Sequence, residues 1–298
     1  KLNLQVIMTS HSPVMIEYAY EQSQHEHSKK FKTVYLSNTY GSVQIMQDWS
    51  WAKISADIHT KTVNVGPSAS LPSVNVYFED KEAEDFFDAL IVRQPLKRCI
   101  TSMSEVTLGC TNYVNLIKNK VPEFAEKSVI LLDSDARSRI EGKNFKTIVL
   151  LPGELPPDQL IFQHLYNLSE EDDFWKNDLQ FTRAVFTNAA REAINELKVT
   201  GPKVDLNERI KNYKGGLKPR DIFKRFYRSE DMREVLSCGA KPHGAWRHWI
   251  EVNPVLANQF LEQFKEVICG VMKNGYAVDH AKLTTLKVNL KKVPNVLK

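Results

Sequence analysis

Three acidic residues that follow strongly apolar segments are the residues best suited to chemistry. V-Y-F-E (76–79) ends in Glu79, and V-I-L-L-D-S-D (129–135) contains Asp133 and Asp135. An extended chain would place the two aspartates on the same side. Neighbouring carboxylates repel each other, and burial raises that cost unless a cation lies between them. The pattern favours a site for Mg²⁺, which prefers oxygen ligands, although Asp133 serving only as a cap of the following turn is the alternative.

The segments around these acids alternate between strand and helix patterns. Apolar runs predict strands at 73–79, 99–103, 128–135 and 147–153, and helical spacing predicts helices at 81–94 and 111–119. Such alternation is typical of an α/β fold with a doubly wound parallel sheet. Functional groups in such sheets gather at the carboxyl ends of the strands, where these acids are expected.

The rest of the chain predicts further elements on both sides of that sheet. A buried parallel strand is predicted at 2–9, and a hairpin of strands at 32–37 and 42–47 turns at Tyr40-Gly41. Residues 61–72 form a linker that contains Gly66, Pro67 and Pro72. From Pro157 onward the pattern is almost wholly helical, with one break at 211–220.

Composition limits the class of protein. The chain has 298 residues, of which 42% are apolar, enough for one or two domains with a real core. No apolar run reaches the eighteen residues of a membrane span, and the four cysteines form no C-x-x-C pair. We therefore expect a cytoplasmic protein with reduced thiols and no membrane partner. The opening Lys-Leu-Asn-Leu, without a Met, predicts that a larger protein continues upstream.

The charge is distributed unevenly along the chain. Residues 201–298 carry 19 lysines and arginines against 10 aspartates and glutamates, whereas residues 1–200 carry 21 against 26. The acidic part is where metal ions are expected, and the basic part is where phosphates are expected. A solvated basic surface would explain the same counts.

The acidic pattern resembles a known domain. Glu79 at a strand end, Leu108-Gly109 midway and Asp133-x-Asp135 at a later strand end resemble the Toprim domain over residues 73–165. This domain occurs in topoisomerases, bacterial primases and OLD (overcoming lysogenization defect) family nucleases. In the family Gly commonly follows the Glu, where Asp80 stands here. OLD nucleases often carry a second acid four residues later, where this chain has Ala83 between Glu82 and Glu84.

The same resemblance implies further metal ligands and two divalent ions, Mg²⁺ or Mn²⁺. Asp80 and Glu84 are candidates beside the first acid. L-P-G-E-L-P-P-D (151–158) is similar to the segment that follows D-x-D in OLD-like proteins, which makes Asp158 a third candidate. As a first-turn residue, Asp158 would also be stabilised by the helix dipole whatever its role.

A second resemblance lies near the start of the chain. Q-V-I-M-T-S-H-S-P (5–13) looks like the switch-histidine segment of ABC-type ATPases, which implies that His11 senses the γ-phosphate of ATP. A purely structural histidine is the alternative. The chain contains no G-x-x-x-x-G-K-[ST] and no Walker B strand, so the ATP site is expected in an upstream domain.

The basic region holds the remaining candidates. The resemblance implies a lysine that stabilises charge on phosphate, for which Lys241 is the first candidate, followed by His243 and Arg247; a solvated turn is the alternative. Trp246 and Trp249 are expected in the core. Segment 211–228 interleaves cations with aromatic residues, which suits nucleic-acid binding, although a basic amphipathic helix would look similar. Its candidate residues are Lys211, Lys214, Lys218, Arg220, Lys224, Arg225 and Arg228.

Together, the resemblances imply a divalent-metal-dependent DNA endonuclease regulated by an upstream ATPase in defence against phage. Residues 1–60 would end the ATPase head, 61–72 would link it to the Toprim core at 73–165, and 166–298 would form a helical basic extension. A homodimer or higher oligomer and a defence partner, protein or nucleic acid, are expected. A Toprim domain of the topoisomerase or primase kind is one alternative. A degenerate Toprim domain that acts as a scaffold or sensor on DNA is another.

Overall fold

The structure is a computed structural model that describes residues 6–10, 13–24, 32–37, 44–46, 50–51, 53–55, 71–236 and 244–291. The chain divides into two compact units, residues 1–70 and 71–298. The boundary falls inside the predicted linker at 61–72.

The described part of the first unit contains a helix, a hairpin and a few further helical residues at 51 and 53–55. Helix α1 spans Pro13–Gln24. Strand β1 (Tyr35–Ser37) pairs antiparallel with β2 (Gln44–Met46), which confirms the predicted hairpin.

The predicted buried strand at 2–9 is wrong over residues 6–9. These residues have no regular structure, and the apolar side chains of Val6, Ile7 and Met8 are largely exposed. A buried strand must pair its backbone groups with a neighbouring strand, and no described residue of this unit provides one.

The second unit is built on a four-stranded parallel sheet. Its strands are β3 (Val74–Phe78), β4 (Ile100–Thr107), β5 (Ser128–Leu132) and β6 (Ile148–Leu150). They lie in the order β4-β3-β5-β6, and every pairing is parallel. The predicted α/β class with a parallel sheet is confirmed.

Both faces of the sheet are covered, because side chains alternate across each strand. Val76 and Phe78 of β3 belong to the main core cluster with Phe87 of helix α2 (Lys81–Ile91). Tyr77 of β3 points into a second cluster with residues of helix α3 (Cys110–Lys118). Helices therefore cover opposite faces, which makes the sheet doubly wound.

The described chain after the sheet is mainly helical, as predicted. A short helix α4 (Arg137–Ile140) precedes β6. The later helices are α5 (Pro157–Asn167), α6 (Arg183–Ala189), α7 (Arg191–Glu196), α8 (Leu206–Asn212), α9 (Pro219–Tyr227), α10 (Glu230–Leu236), α11 (Ala245–Val252), α12 (Pro254–Gly275) and α13 (His280–Leu283). Within the described ranges, none of the helices is both long enough and apolar enough to span a membrane.

The sheet and the later helices share one core. The ring of Trp246 in α11 stacks on Phe86 of α2 at 4.1 Å between centroids, and Trp249 meets the same ring edge-on at 5.1 Å. Both tryptophans are buried, which confirms their predicted place in the core. Residues 73–165 therefore do not have a core separate from that of the helices that follow.

Phe86→Ala tests this shared core. Phe86 is 0% exposed, so its loss should lower the free energy of unfolding by about 3–5 kcal/mol. Urea unfolding followed by circular dichroism measures the change. Val252→Ala is the control, because Val252 is 54% exposed and its truncation should cost less than about 0.5 kcal/mol. Equal effects of the two substitutions would contradict the shared core.

Candidate metal centre

The acidic residues lie at the point where the strand order reverses. Strand β4, which follows β3 in the chain, pairs with one edge of β3, and the next strand, β5, pairs with the opposite edge of β3. In parallel α/β sheets such a switch point leaves a crevice at the carboxyl ends of the two strands. Glu79 directly follows β3, and Asp133 directly follows β5.

The structure brings three predicted ligands together. Glu79, Asp133 and Asp135 each offer a ligand atom, and these atoms lie within 4.8 Å of one another; we call this group the acidic triad. The backbone N–H of Asp133 also donates to Oε2 of Glu79 at 3.4 Å. Glu79 is half-buried, Asp133 is buried and Asp135 is exposed, so the triad opens from the sheet edge to solvent.

Asp135 reaches the triad by a different backbone route from the predicted one. The extended strand ends at Leu132, and Ser134–Ala136 form a 3₁₀ turn rather than a continued strand. The hydroxyl of Ser134 donates to the carbonyl of Leu155 at 2.8 Å and fixes that turn against the start of the helical region. The side chain of Asp133 makes no capping hydrogen bond to this described turn, so the capping alternative does not account for it.

The triad is electrostatically unfavourable as it stands. Burial raises the pKa of Asp133 well above its usual value, and the neighbouring carboxylates of Asp80, Glu79, Asp135 and Asp158 raise it further. Burial also raises the pKa of Glu79; the hydrogen bond from Asp133 opposes that rise, and the charge of Asp135 adds to it. Mutual repulsion and loss of water therefore act together on these groups.

One carboxylate oxygen in the triad lacks a hydrogen-bond partner in the described chain. Oδ1 of Asp133 is buried and receives no hydrogen bond from any described residue. An unsatisfied buried polar atom costs about 1–3 kcal/mol, and more if it is charged. A cation would satisfy this oxygen and relieve the repulsion. Three carboxylates without a nitrogen or sulfur ligand suit Mg²⁺ or Mn²⁺, so the residues fit the predicted metal.

A second acidic group borders the triad. Asp80, Glu82 and Asp158 form this bordering group, and Lys224 of α9 contacts two of them. Its Nζ lies 2.7 Å from Oδ2 of Asp80 and 3.2 Å from Oε2 of Glu82. Arg228 adds a contact of 2.7 Å from its Nε to Oε1 of Glu82. Burial by itself would raise the pKa of Glu82. The hydrogen bonds from Arg228 and Lys224 outweigh burial, so the pKa of Glu82 is lowered.

Asp158 is a deeply buried member of the bordering group, at 4% exposure. It lies in the first turn of α5, where Oδ1 accepts from the N–H of Gln159 at 3.0 Å. Its Oδ2 is buried without a hydrogen-bond partner among the described residues. Burial raises the pKa of Asp158 to about 7 against the opposing charge of Lys224, so the group titrates near neutrality.

The other predicted ligands at the start of α2, Asp80 and Glu84, bind other groups of the protein. The side chain of Asp80 accepts from the N–H of Ala83 at 3.0 Å as the N-cap of α2, besides binding Lys224. Glu84 pairs with Lys81 at 3.0 Å and accepts a hydrogen bond from Ser104. Neither belongs to the acidic triad, and nor does Asp158. A metal contact for any of the three stays a prediction.

The predicted nucleic-acid-binding residues differ in their exposure to solvent, and those of α9 differ in the face of the helix on which they lie. Lys211, Lys214, Lys218 and Arg220 are exposed. Lys224 is only 17% exposed and faces the bordering group. Arg225 instead pairs with Glu192 of α7 through two hydrogen bonds of 2.6 and 2.9 Å.

Sequence inspection missed this division, although the signal was present. Arg220, Lys224 and Arg228 are spaced four residues apart, which places them on one face of α9. Arg225 lies off that face. The nucleic-acid role of the seven basic residues stays a prediction.

Of the predicted phosphate-stabilising residues, Arg247 is among the described residues. Lys241 and His243 lie outside the described residues. Arg247 lies in α11, where its Nε contacts Oε1 of Glu251 at 2.9 Å. The ATP-sensing role of His11 likewise falls outside the described residues.

A partly buried histidine pair was not predicted. Nε2 of His164 lies 3.0 Å from Nδ1 of His248, and Nε2 of His248 lies 3.5 Å from Oδ1 of Asp172. Burial lowers the pKa of His164 to about 3, aided by the charge of His248. Burial also lowers the pKa of His248, although the carboxylate of Asp172 opposes this. The pair therefore links α5 to α11, and burial disfavours a positive charge on either ring.

Comparisons with protein-family models, with curated proteins and with solved structures find no match. The geometry of the strand ends is therefore the main support for any function.

Asp158→Asn tests the electrostatics of the bordering group. Because the pKa of Asp158 is about 7 in the folded chain and about 4 when unfolded, the folded state binds the extra proton in between. The free energy of unfolding should therefore fall as pH rises from about 4 to about 7, and the variant should reduce that fall by roughly 1–3 kcal/mol.

Urea unfolding with EDTA at several pH values measures this. Asp173→Asn is the control, because that carboxylate is exposed and forms a surface ion pair with Lys176. An unchanged pH profile for Asp158→Asn would show that this carboxyl titrates normally.

Proposed function

We propose that this chain hydrolyses phosphodiester bonds of DNA at the acidic triad, in a Toprim-type site that needs a divalent cation. The observation that carries the proposal is that the buried Oδ1 of Asp133, in the triad at the switch point of a parallel sheet, has no hydrogen-bond partner among the described residues. Such an arrangement is costly without a cation, and a cation there would be open to substrate on the side of Asp135.

Each residue of the triad has a distinct part in this proposal. Glu79 and Asp133, fixed by the ends of β3 and β5, would hold the ion on rigid elements. Asp135 would hold it from the exposed side, where a phosphate enters. A bound Mg²⁺ or Mn²⁺ supplies Lewis acidity, which activates water and neutralises charge on the phosphate. The carboxylates orient that ion, while the burial of Asp133 excludes water from behind it.

A separate cationic surface is needed, because a site rich in carboxylates repels phosphates. The exposed lysines at 211, 214 and 218 precede α9, whose second residue, Arg220, lies 4.0 Å from Asp80. Asp80 follows Glu79 in the sequence. A DNA backbone bound along these cations would therefore approach the triad from the side of α9.

The wider biological role rests on the resemblances of segments 5–13 and 73–165. ATP-dependent control from an upstream domain, assembly into a homodimer or larger oligomer, and defence against phage with a further partner belong to this proposal. The ion-free alternative is a scaffold or sensor that binds DNA without cutting it. Ala83, where OLD nucleases often carry an acid, favours that second candidate.

Asp133→Asn should abolish Mg²⁺- or Mn²⁺-dependent nicking of plasmid DNA by the full chain. Loss of an outer-shell partner of a metal ligand costs roughly 10–100-fold, so loss of a ligand should cost more. The metal-free variant should melt no lower than the wild type, because a buried charge is removed. Asp173→Asn serves as the control. Full nicking by folded Asp133→Asn would reject the nuclease, whereas DNA binding without any cleavage by the wild type would support the scaffold.

The double reversal Lys214→Glu and Lys218→Glu tests the cationic surface. It should weaken binding of unrelated duplexes to a similar extent and flatten the dependence of log K on log salt by roughly one per lost phosphate contact. Lys118→Glu with Lys120→Glu is the matched control. Lys118 is the last residue of α3, Lys120 lies in the turn after it, and both are exposed before the chain enters β5 at its amino end. If both doubles give the same slope, the surface is not a DNA site.

A further inference from the structure

The two acidic groups at the strand ends differ in one respect: whether a cation of the protein already neutralises them. The groups that act most strongly on Asp133 in the triad are all carboxylates. The bordering group instead contains Lys224, whose ammonium lies between Asp80 and Glu82. Within the part of the chain that the structure describes, the triad therefore has no cation of the protein beside it to match Lys224 in the bordering group.

The contacts of Lys224 are those of a fixed, desolvated ammonium. Its side chain is 17% exposed, and Glu82, which it shares with Arg228, is 2% exposed. The 2.7 Å distance to Asp80 is typical of a charge-assisted N–H···O bond, and the 3.2 Å distance to Glu82 is that of a longer hydrogen bond. Burial would lower the pKa of Lys224, but its hydrogen bond to Asp80 raises it, so the group stays charged.

The bordering group is close enough to the triad to act on it. Asp80 is adjacent to Glu79 in sequence, and the carboxylates of Asp80 and Asp158 both act on Asp133. The charge of Lys224 acts in turn on Asp158, whose Oδ2 has no hydrogen-bond partner in the described chain. Lys224 is thus set among three carboxylates that would otherwise attract a second ion.

We infer that the ammonium of Lys224 takes the place of a second divalent ion, so that this chain binds one Mg²⁺ or Mn²⁺, at the triad, rather than two. The inference rests on the proposed function for its first ion. Lys224 is a positioning residue in this arrangement: it neutralises Asp80 and Glu82, and it leaves the triad as the place where a further positive charge is still required. Ala83, buried between Glu82 and Glu84, offers no carboxylate for another ion.

The test is a count of Mn²⁺ ions per chain, with free Mn²⁺ measured by electron paramagnetic resonance. The full-length wild-type chain should bind one ion. Lys224→Met keeps the length of the side chain but removes its charge, so it should bind two. Lys224→Arg restores a cation and should return the count to one. Arg225→Met is the matched control, because Arg225 pairs with Glu192 away from the bordering group, and its count should stay at one.

The outcomes separate this inference from the proposed function. Two ions on the wild type, or a single ion on folded Lys224→Met, would overturn the inference and leave the nuclease intact. No ion on the wild type would remove the metal-dependent function itself. If Lys224→Met does not fold, the wild-type and Lys224→Arg counts decide: one ion on each supports the inference, and two on either overturns it.

Discussion

The structure is organised around the repulsion between carboxylates at the carboxyl ends of β3 and β5. Two adjacent parallel strands each end in an acid, and the order of the sheet brings those ends together. Burial makes their negative charge more costly than it would be in water. Lys224 of helix α9 and Arg228, which directly follows that helix, offset part of that cost. Asp133 still has one oxygen that no described residue satisfies. The chemistry proposed for the site follows from this incomplete compensation.

The acids themselves could be predicted because their signal is local. An apolar run that stops at an acid marks a buried strand with a functional end, and parallel pairing places such ends side by side. The compensating cation could not be predicted in the same way. Lys224 and Asp80 are 144 residues apart in the sequence, and no local pattern tells which acid a helical lysine will meet. The helical spacing of Arg220, Lys224 and Arg228 fixes only that they share a face.

The strand boundaries show the same limit. Strand β4 runs to Thr107, beyond the predicted end at 103, because it lies at the edge of the sheet and much of it is exposed. An edge strand needs no continuous apolar run, so hydrophobicity underestimates its length. The opposite error occurred at residues 6–9, where an apolar run carries no strand. Hydrophobicity indicates that a segment favours burial, but the neighbouring strand that allows it lies elsewhere in the chain.

The stacking of Trp246 on Phe86 has a consequence for how this protein can change over evolution. The helix that begins just after Glu79 packs directly against helices more than 150 residues later in the chain. The sheet and its helical extension therefore cannot be exchanged as independent modules, because a foreign extension would have to match the aromatic surface of α2. Recombination at the border of the two regions would prevent the product from folding. New specificity is more accessible through point changes at exposed positions, such as the lysines before α9, than through replacement of the extension.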